Sequence, residues 1–175
     1  MATATKFEGL TGEYAVDRAQ STLGFTARHT VGPKVEGCFE AFSGALYLDG
    51  DDPARSWAKV VIEAASIQTY DARRDAALRE HFLDVENYST ITFRSTKVSR
   101  TGPTTFNVSG NLTIRGTTRP VAVPLELVGT DDAVTFTGSL PLQRKRWSVN
   151  WNAAINLMVS QRVNLTLKLA ATRKS

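Results

Sequence analysis

Thr69 to Phe93, TYDARRDAALREHFLDVENYSTITF, decides how the chain is read, because only here does strand-like alternation give way to a helical pattern. Asp71 is placed to cap a helix N-terminus, and Asp75 adds negative charge in the early turns. Ala72, Ala76, Ala77, Leu78 and Arg79 are good helix formers. Leu78 and Phe82, four residues apart, share one face with Leu83 beside them, while Arg73, Arg74, Asp75 and Glu80 are expected on the wetter side. A second short turn around Leu83 to Glu86 then leads through Tyr88 into a strand entered at Ile91-Thr92-Phe93. One helical insert among strands fits a cap over the end of a barrel. On periodicity alone, a connector on the outside of a sandwich fits about as well.

Outward from the insert, alternation of period two dominates. Upstream, Tyr14 and Val16 open a short strand, and Leu23, Phe25, Ala27 and His29 share one face of a longer one that Gly32-Pro33 ends. From Val35 to Asp49 the apolar parity switches between Phe39 and Phe42. One extra residue does this, so a bulge is expected near Glu40-Ala41. Asp49-Gly50-Asp51-Asp52-Pro53 is a turn by composition, and Val60, Ile62 and Ala64 mark the next strand. Downstream, Phe106, Val108, Gly110, Leu112 and Ile114 give the cleanest alternation. Pro120 and Pro124 cannot donate ladder bonds, so the strand through Val121 to Leu127 should be irregular or at an edge there. Val134 to Leu140 and Val163 to Leu169 add two more strands, and Pro141 to Val159, with Trp147 and Trp151, reads as a loop or bent strand. Eight or nine strands joined by short turns are mostly antiparallel, and closure into a barrel removes their edges. The fold class is therefore all-β: an antiparallel barrel of about eight strands, with the insert capping one end.

At 175 residues the chain fits one domain, with residues 1–11 small, polar and frayed and residues 12–173 forming the barrel. With 42% hydrophobic and 22% charged residues it has the composition of an ordinary globule with a sizeable core. No run approaches the roughly 18 apolar residues of a membrane-spanning helix. The first residues lack the basic and apolar regions of a secretory signal, so a cytoplasmic location is expected. A single cysteine, Cys38, permits no internal disulfide and reads as a small buried hydrophobe. A net charge of +4, with acids and bases interleaved, argues against nucleic acid as a partner. Arg144-Lys145-Arg146 reads first as a solvated rim and second as an aid to transient contact with an anionic membrane surface.

Few residues point to chemistry. His29 and His81 are the only histidines, too few for most zinc sites, and no nucleophile elbow, phosphate loop or dinucleotide fingerprint is present. No metal or other cofactor is expected. Four Asn-x-Ser/Thr sequons, such as Asn87-Tyr88-Ser89, read as polar strand faces. The apolar residues are more informative, since a barrel of about eight strands can enclose one small ligand. Leu23, Phe25, Phe39, Phe42, Leu46, Val60, Ile62, Phe93, Phe106, Leu112, Phe136, Leu165 and Leu167 would line its interior. Each is required for the core with or without a ligand. His29 shares the parity of Leu23 and Phe25, and either bonds a buried backbone group or meets the polar end of a ligand.

Several motifs stand in a distinctive order. Tyr14-x-Val16-Asp17 is followed by Ser21-x-Leu23-x-Phe25-x-Ala27-x-His29 and Gly37-x-Phe39-x-x-Phe42-x-Gly44. Then come Ser66-Ile67-x-Thr69, Arg74-Asp75-x-x-Leu78-x-x-x-Phe82-Leu83-Asp84 and Tyr88-x-x-Ile91-x-Phe93-x-Ser95. Gly110-x-Leu112-Thr113-Ile114-Arg115-Gly116-x-Thr118-Arg119-Pro120-Val121 closes the series. In this order the chain resembles the YceI-like family, from Gly12 to about Leu127. Arg144, Trp147 and the last strand also fit, while Asn150 to Val159 follows the pattern less closely. The resemblance implies a lipocalin-like barrel that binds a polyisoprenoid, with Leu78, Phe82 and Trp147 joining the strand residues around the ligand. The implied role is transport, storage or sequestration of an isoprenoid lipid or quinone, not catalysis. An enzyme that pairs His29 with Asp17 or Asp71 on an apolar substrate is the alternative, and a ligand-free interaction module is a third class. The sequence leaves room for a homodimer.

Overall fold

The alternation is realised as eleven strand segments: β1 (Gly12–Val16), β2 (Thr22–His29), β3 (Lys34–Phe39), β4 (Phe42–Leu48), β5 (Trp57–Glu63), β6 (Ile67–Gln68), β7 (Thr90–Arg100), β8 (Thr105–Ile114), β9 (Thr117–Gly129), β10 (Val134–Gln143) and β11 (Val159–Arg173). The structure is a computed structural model that describes residues 9–29, 34–130, 133–149 and 159–174. Neighbouring segments pair antiparallel, and β1 pairs with both β4 and β11, so the sheet closes on itself. The expected frayed segment falls largely on residues 1–8, which lie outside the described residues, as does most of the segment from Pro141 to Val159 beyond Val149, Trp151 included.

Eleven segments make an eight-stranded ring because three of its strands are interrupted. β1 and β2 both run along β11, separated by a 3-10 turn over Arg18–Gln20. Asp17 caps that turn, accepting from the Ala19 amide (3.0 Å) and the Gln20 side chain (2.7 Å). β3 and β4 are separated at Glu40-Ala41, where the parity switch was expected. There the Glu40 amide donates to Ser66 O and the Glu63 amide to Ala41 O, so the neighbouring strand breaks at the same level. β5 and β6 are accordingly split by a turn over Ala64–Ser66. Sequence reading counted eight or nine strands because it cannot see which interruptions leave two segments on one line.

The two prolines of β9 have a visible consequence. β9 and β10 pair only from Leu125↔Gly138 to Gly129↔Thr135, although both strands continue beyond. In the unpaired stretch Pro120 and Pro124 offer no N–H. Packing then divides the interior. At the end carrying the β7–β8 and β9–β10 connections, Tyr14, Leu46, Leu48, Phe106 and Phe136 form a floor, with the Phe106 and Phe136 rings edge to face at 6.1 Å. At the other end a second cluster gathers beneath the insert.

The insert consists of α1 (Ala72–Ala77) continued by a π-helical turn over Leu78–Phe82. Asp71 caps α1 through the Arg74 amide at 3.1 Å. Two expectations are corrected here. Asp75 is not on a wet face but 3% exposed, accepting from both the amide and the hydroxyl of Thr69. Arg74 turns the same way, donating through Nε to Thr69 Oγ1 (2.8 Å) and through Nη2 to Thr69 O (2.9 Å). Thr69 thus supplies local partners for both charges, of which Asp75 is buried and Arg74 stays partly exposed. Cys38 differs too: it is partly exposed, opposite Gly24 and Gln68, and its sulfur beside Tyr70 raises the phenol's pKa.

Candidate functional site

Inward-facing side chains on β2 and β11 explain where the site lies. Leu23, Phe25, Val163, Leu165 and Leu167 point into the barrel by parity, yet each stays partly exposed. They face empty space. A cavity of about 430 Å³ lies there, walled by these residues with Val35, Phe39, Ile62, Ile91, Leu112 and Ile114. Its roof is the underside of the insert, where Arg74, Leu78 and Phe82 recur at helical spacing beside Ala77 and Leu83. Leu142, Arg144, Trp147 and Val149, around a 3-10 turn over Arg144–Trp147, close the remaining side. A second cavity of about 150 Å³ lies toward the floor, bordered by Leu46, Val60, Phe93, Phe106 and Phe136. Leu23, Ile62, Leu112, Leu165 and Leu167 border both, so the two spaces are stacked along the barrel.

The geometry sorts the residues expected from sequence. Leu23, Phe25, Phe39, Ile62, Leu78, Phe82, Leu112, Trp147, Leu165 and Leu167 border the larger cavity. Leu46, Val60, Phe93, Phe106 and Phe136 border the deeper one. Phe42 is buried opposite Ile62 but borders neither, because parity sets the face of a strand and not the height at which the interior widens. His29 ends β2 opposite Val159, and its side chain lies outside the described residues. Asp17 and Asp71, the carboxylates considered as its acid–base partners, cap turns and border neither cavity.

Sequence reading missed the polar part of the wall. Arg144 is not on a solvated rim but 9% exposed, with its guanidinium 5.5 Å from the centre of the Phe82 ring. Its Nη1 donates to Val149 O at 2.6 Å, and burial lowers its pKa from the ordinary arginine value. Beside it the Trp147 indole donates to Leu112 O at 2.9 Å, fixing the turn to β8. Arg115 Nη1 donates to both Phe82 O (3.2 Å) and Ser148 O (2.9 Å), which ties the insert, the β8–β9 hairpin and the turn together. Among the described residues bordering the larger cavity there is no Asp, Glu, His or Cys. Such a lining suits a long hydrocarbon, since burying it stabilises a complex by roughly 0.8 kcal/mol per methylene.

Known proteins share this architecture. The solved structure of Burkholderia cenocepacia BcnA is 28% identical, with a TM-score of 0.84 over 90% of this chain and 99% of that one. A polyisoprenoid-binding domain from Saccharophagus degradans superposes with a TM-score of 0.76 over 92% of this chain and 98% of its own; at 17% identity it speaks for the fold alone. Among sequence relatives, a UPF0312 protein of Pseudomonas aeruginosa is 30% identical over 179 residues, covering 97% of this chain and 92% of the relative. The YceI-like domain matches residues 14–171, from β1 to β11, and so takes in the ring of strands, the insert and the turn that together enclose the cavity; the chain belongs to the YceI-like family.

Proposed function

We propose that this protein binds a long isoprenoid lipid, a polyprenyl compound or a quinone tail, inside the barrel, and so transports, stores or sequesters it. The observation that carries this reading is the pair of stacked apolar cavities beneath the insert. The larger, at about 430 Å³, falls in the range of small-molecule sites and has almost no polar lining. The isoprenoid class is proposed by analogy with the polyisoprenoid-binding domain that shares this fold. The test is native mass spectrometry of the purified protein, followed by solvent extraction. A bound lipid that the solvent removes is expected. A protein that is empty and gains no mass on incubation with a polyprenol would sink the proposal. A cytoplasmic location and brief contact with membranes, from which such a lipid must come, belong to the same proposal; cell fractionation tests both.

The insert is expected to move when the lipid enters. Leu78, Phe82 and Leu83 form its underside over the cavity, and a ligand beneath them would remove more of their surface from water. Its α-to-π transition is a break in regular hydrogen bonding, and a segment that opens must have lower local stability than the strands. Hydrogen exchange should therefore show amides from Ala76 to Leu83 better protected in lipid-loaded protein than in extracted protein. Equal protection in both states would make the insert a fixed roof and place the entrance elsewhere.

A further inference from the structure

The barrel wall has a seam. Carried on from Leu125↔Gly138, the register of β9 and β10 would set Pro120 to Pro124 against Ser139 to Gln143, but these stretches are not paired. Each is held from behind: β8 and β9 pair from Thr105↔Glu126 to Ile114↔Thr117, and β10 and β11 from Val134↔Ala171 to Gln143↔Arg162. The gap therefore lies between two well-supported strands and is not a frayed end. Pro120, Pro124 and Pro141 have no N–H with which to close it. Parting the wall here breaks few ladder bonds, whereas parting β8 from β9 or β10 from β11 breaks a long run of them.

Its inner side opens on the lipid site. Val121, Val123, Leu125 and Leu140 border the deeper cavity, and Leu142 borders the larger one. Its outer side is apolar for the outside of a barrel. Pro120, Ala122, Pro124 and Pro141 are exposed there, while the outer face of β8 alongside presents Asn107, Ser109, Asn111 and Thr113. The rim is basic. Residues 115–125 and 133–149, which carry the two edges, include Arg115, Arg119, Arg144, Lys145 and Arg146 but no Asp or Glu. Of these, Arg119, Lys145 and Arg146 are exposed, and Arg119 Nε donates to Arg146 O at 3.1 Å, bridging the seam at the insert end. An apolar strip framed by bases complements an anionic membrane surface, whose lipids attract Lys and Arg and whose interface accepts small apolar side chains.

We propose that the seam between β9 and β10 is the face this protein sets against an anionic membrane surface, and that the lipid passes through it into the cavities. The inference rests on the lipid-binding reading above and names its membrane partner and its passage. Opening the seam would also slacken the insert, because Arg115 Nη1 joins Phe82 O to Ser148 O beside it. Prolines on an unpaired edge also deter strand addition from another chain. A seam with that role alone would leave lipid loading indifferent to a bridge across it.

The test follows the loading of lipid-extracted full chain with geranylgeraniol, taken from detergent or from phosphatidylcholine vesicles with and without phosphatidylglycerol. Wild-type protein should load about tenfold faster when phosphatidylglycerol is present. Ala122→Cys with Pro141→Cys, in a Cys38→Ser background and joined by a short bismaleimide, should load from those vesicles about tenfold or more slowly. The same bridge between Arg94→Cys and Asn111→Cys, paired on β7 and β8, should leave the rate unchanged. Lys145→Glu with Arg146→Glu should remove the advantage of phosphatidylglycerol and leave loading from detergent as it was. Seam-bridged protein that loads at the unbridged rate overturns the proposal, as does equal loading from the two kinds of vesicle. If the bridged protein does not form, an environment-sensitive dye on Ala122→Cys decides. It should shift to the blue on phosphatidylglycerol vesicles while the same dye on Arg94→Cys does not, and the absence of this difference overturns the proposal. Failure of the wild-type protein to load even from detergent counts against the lipid-binding reading itself.

Discussion

Leu165→Trp protein is expected to purify folded and without its lipid. Leu165 stands opposite Leu140 on β10 and Phe25 on β2, and it borders both cavities. An indole there would fill the neck between them. Overpacking usually costs about 1–3 kcal/mol, but here the added atoms have empty space to enter, so the loss of stability should fall at the low end. The ligand has no such latitude. Excluding three of its methylenes from the deep end would remove ~2.4 kcal/mol, on the order of fifty-fold in affinity. Lipid content after extraction and the melting temperature together check this. Lys168→Trp, at an exposed position on the outer face of β11, serves as the control and should retain a full load. A folded Leu165→Trp protein with undiminished lipid would show that the ligand does not pass the neck.

The walls that this prediction relies on were legible in the sequence for a physical reason. A strand with one buried face must alternate, so Phe106, Val108, Gly110 and Leu112 declared their side of β8 without any knowledge of partners. The parity switch between Phe39 and Phe42 likewise marked the break at Glu40-Ala41. Depth was not legible, because the height of a residue along the barrel depends on register with distant strands. Phe42 therefore had the right parity and bordered no cavity. Charged residues were harder still. Asp75 and Arg74 were read as wet from residue type alone, although Thr69, only a few residues away, supplies their bonds. The place of Thr69 and Arg74-Asp75 among the motifs of the family resemblance was the available signal. Arg144 gave less warning, since it opens a run of three bases and its contacts, Phe82 and Val149, meet only in the folded chain.

The largest loss of stability is expected for Trp147→Ala. Trp147 is 1% exposed and follows β10 on a turn within the segment that the sequence reads as a loop or bent strand. Its ring packs in the cluster with Phe82, Leu83, Ile91 and Leu112, so it joins the insert to the sheet. Its indole N–H satisfies Leu112 O at the position where β8 borders both cavities. Removing the ring creates a void and strands a carbonyl, for which about 3–5 kcal/mol is the usual cost of Trp to Ala in a core. In a domain of this size that lowers the melting temperature on the order of 10 °C. The Arg146 guanidinium 5.2 Å above the ring adds little, because Arg146 itself is exposed. Trp147→Phe separates the two contributions: it keeps most of the volume but not the donor, and should lose about 1 kcal/mol from the hydrogen bond. Thermal unfolding of lipid-extracted protein is the right measurement, since bound ligand would add its own stabilisation. If Ala and Phe variants melt within a degree or two of wild type, Trp147 is a replaceable part of the cavity wall and the insert must be held by Arg115 and the strand contacts alone.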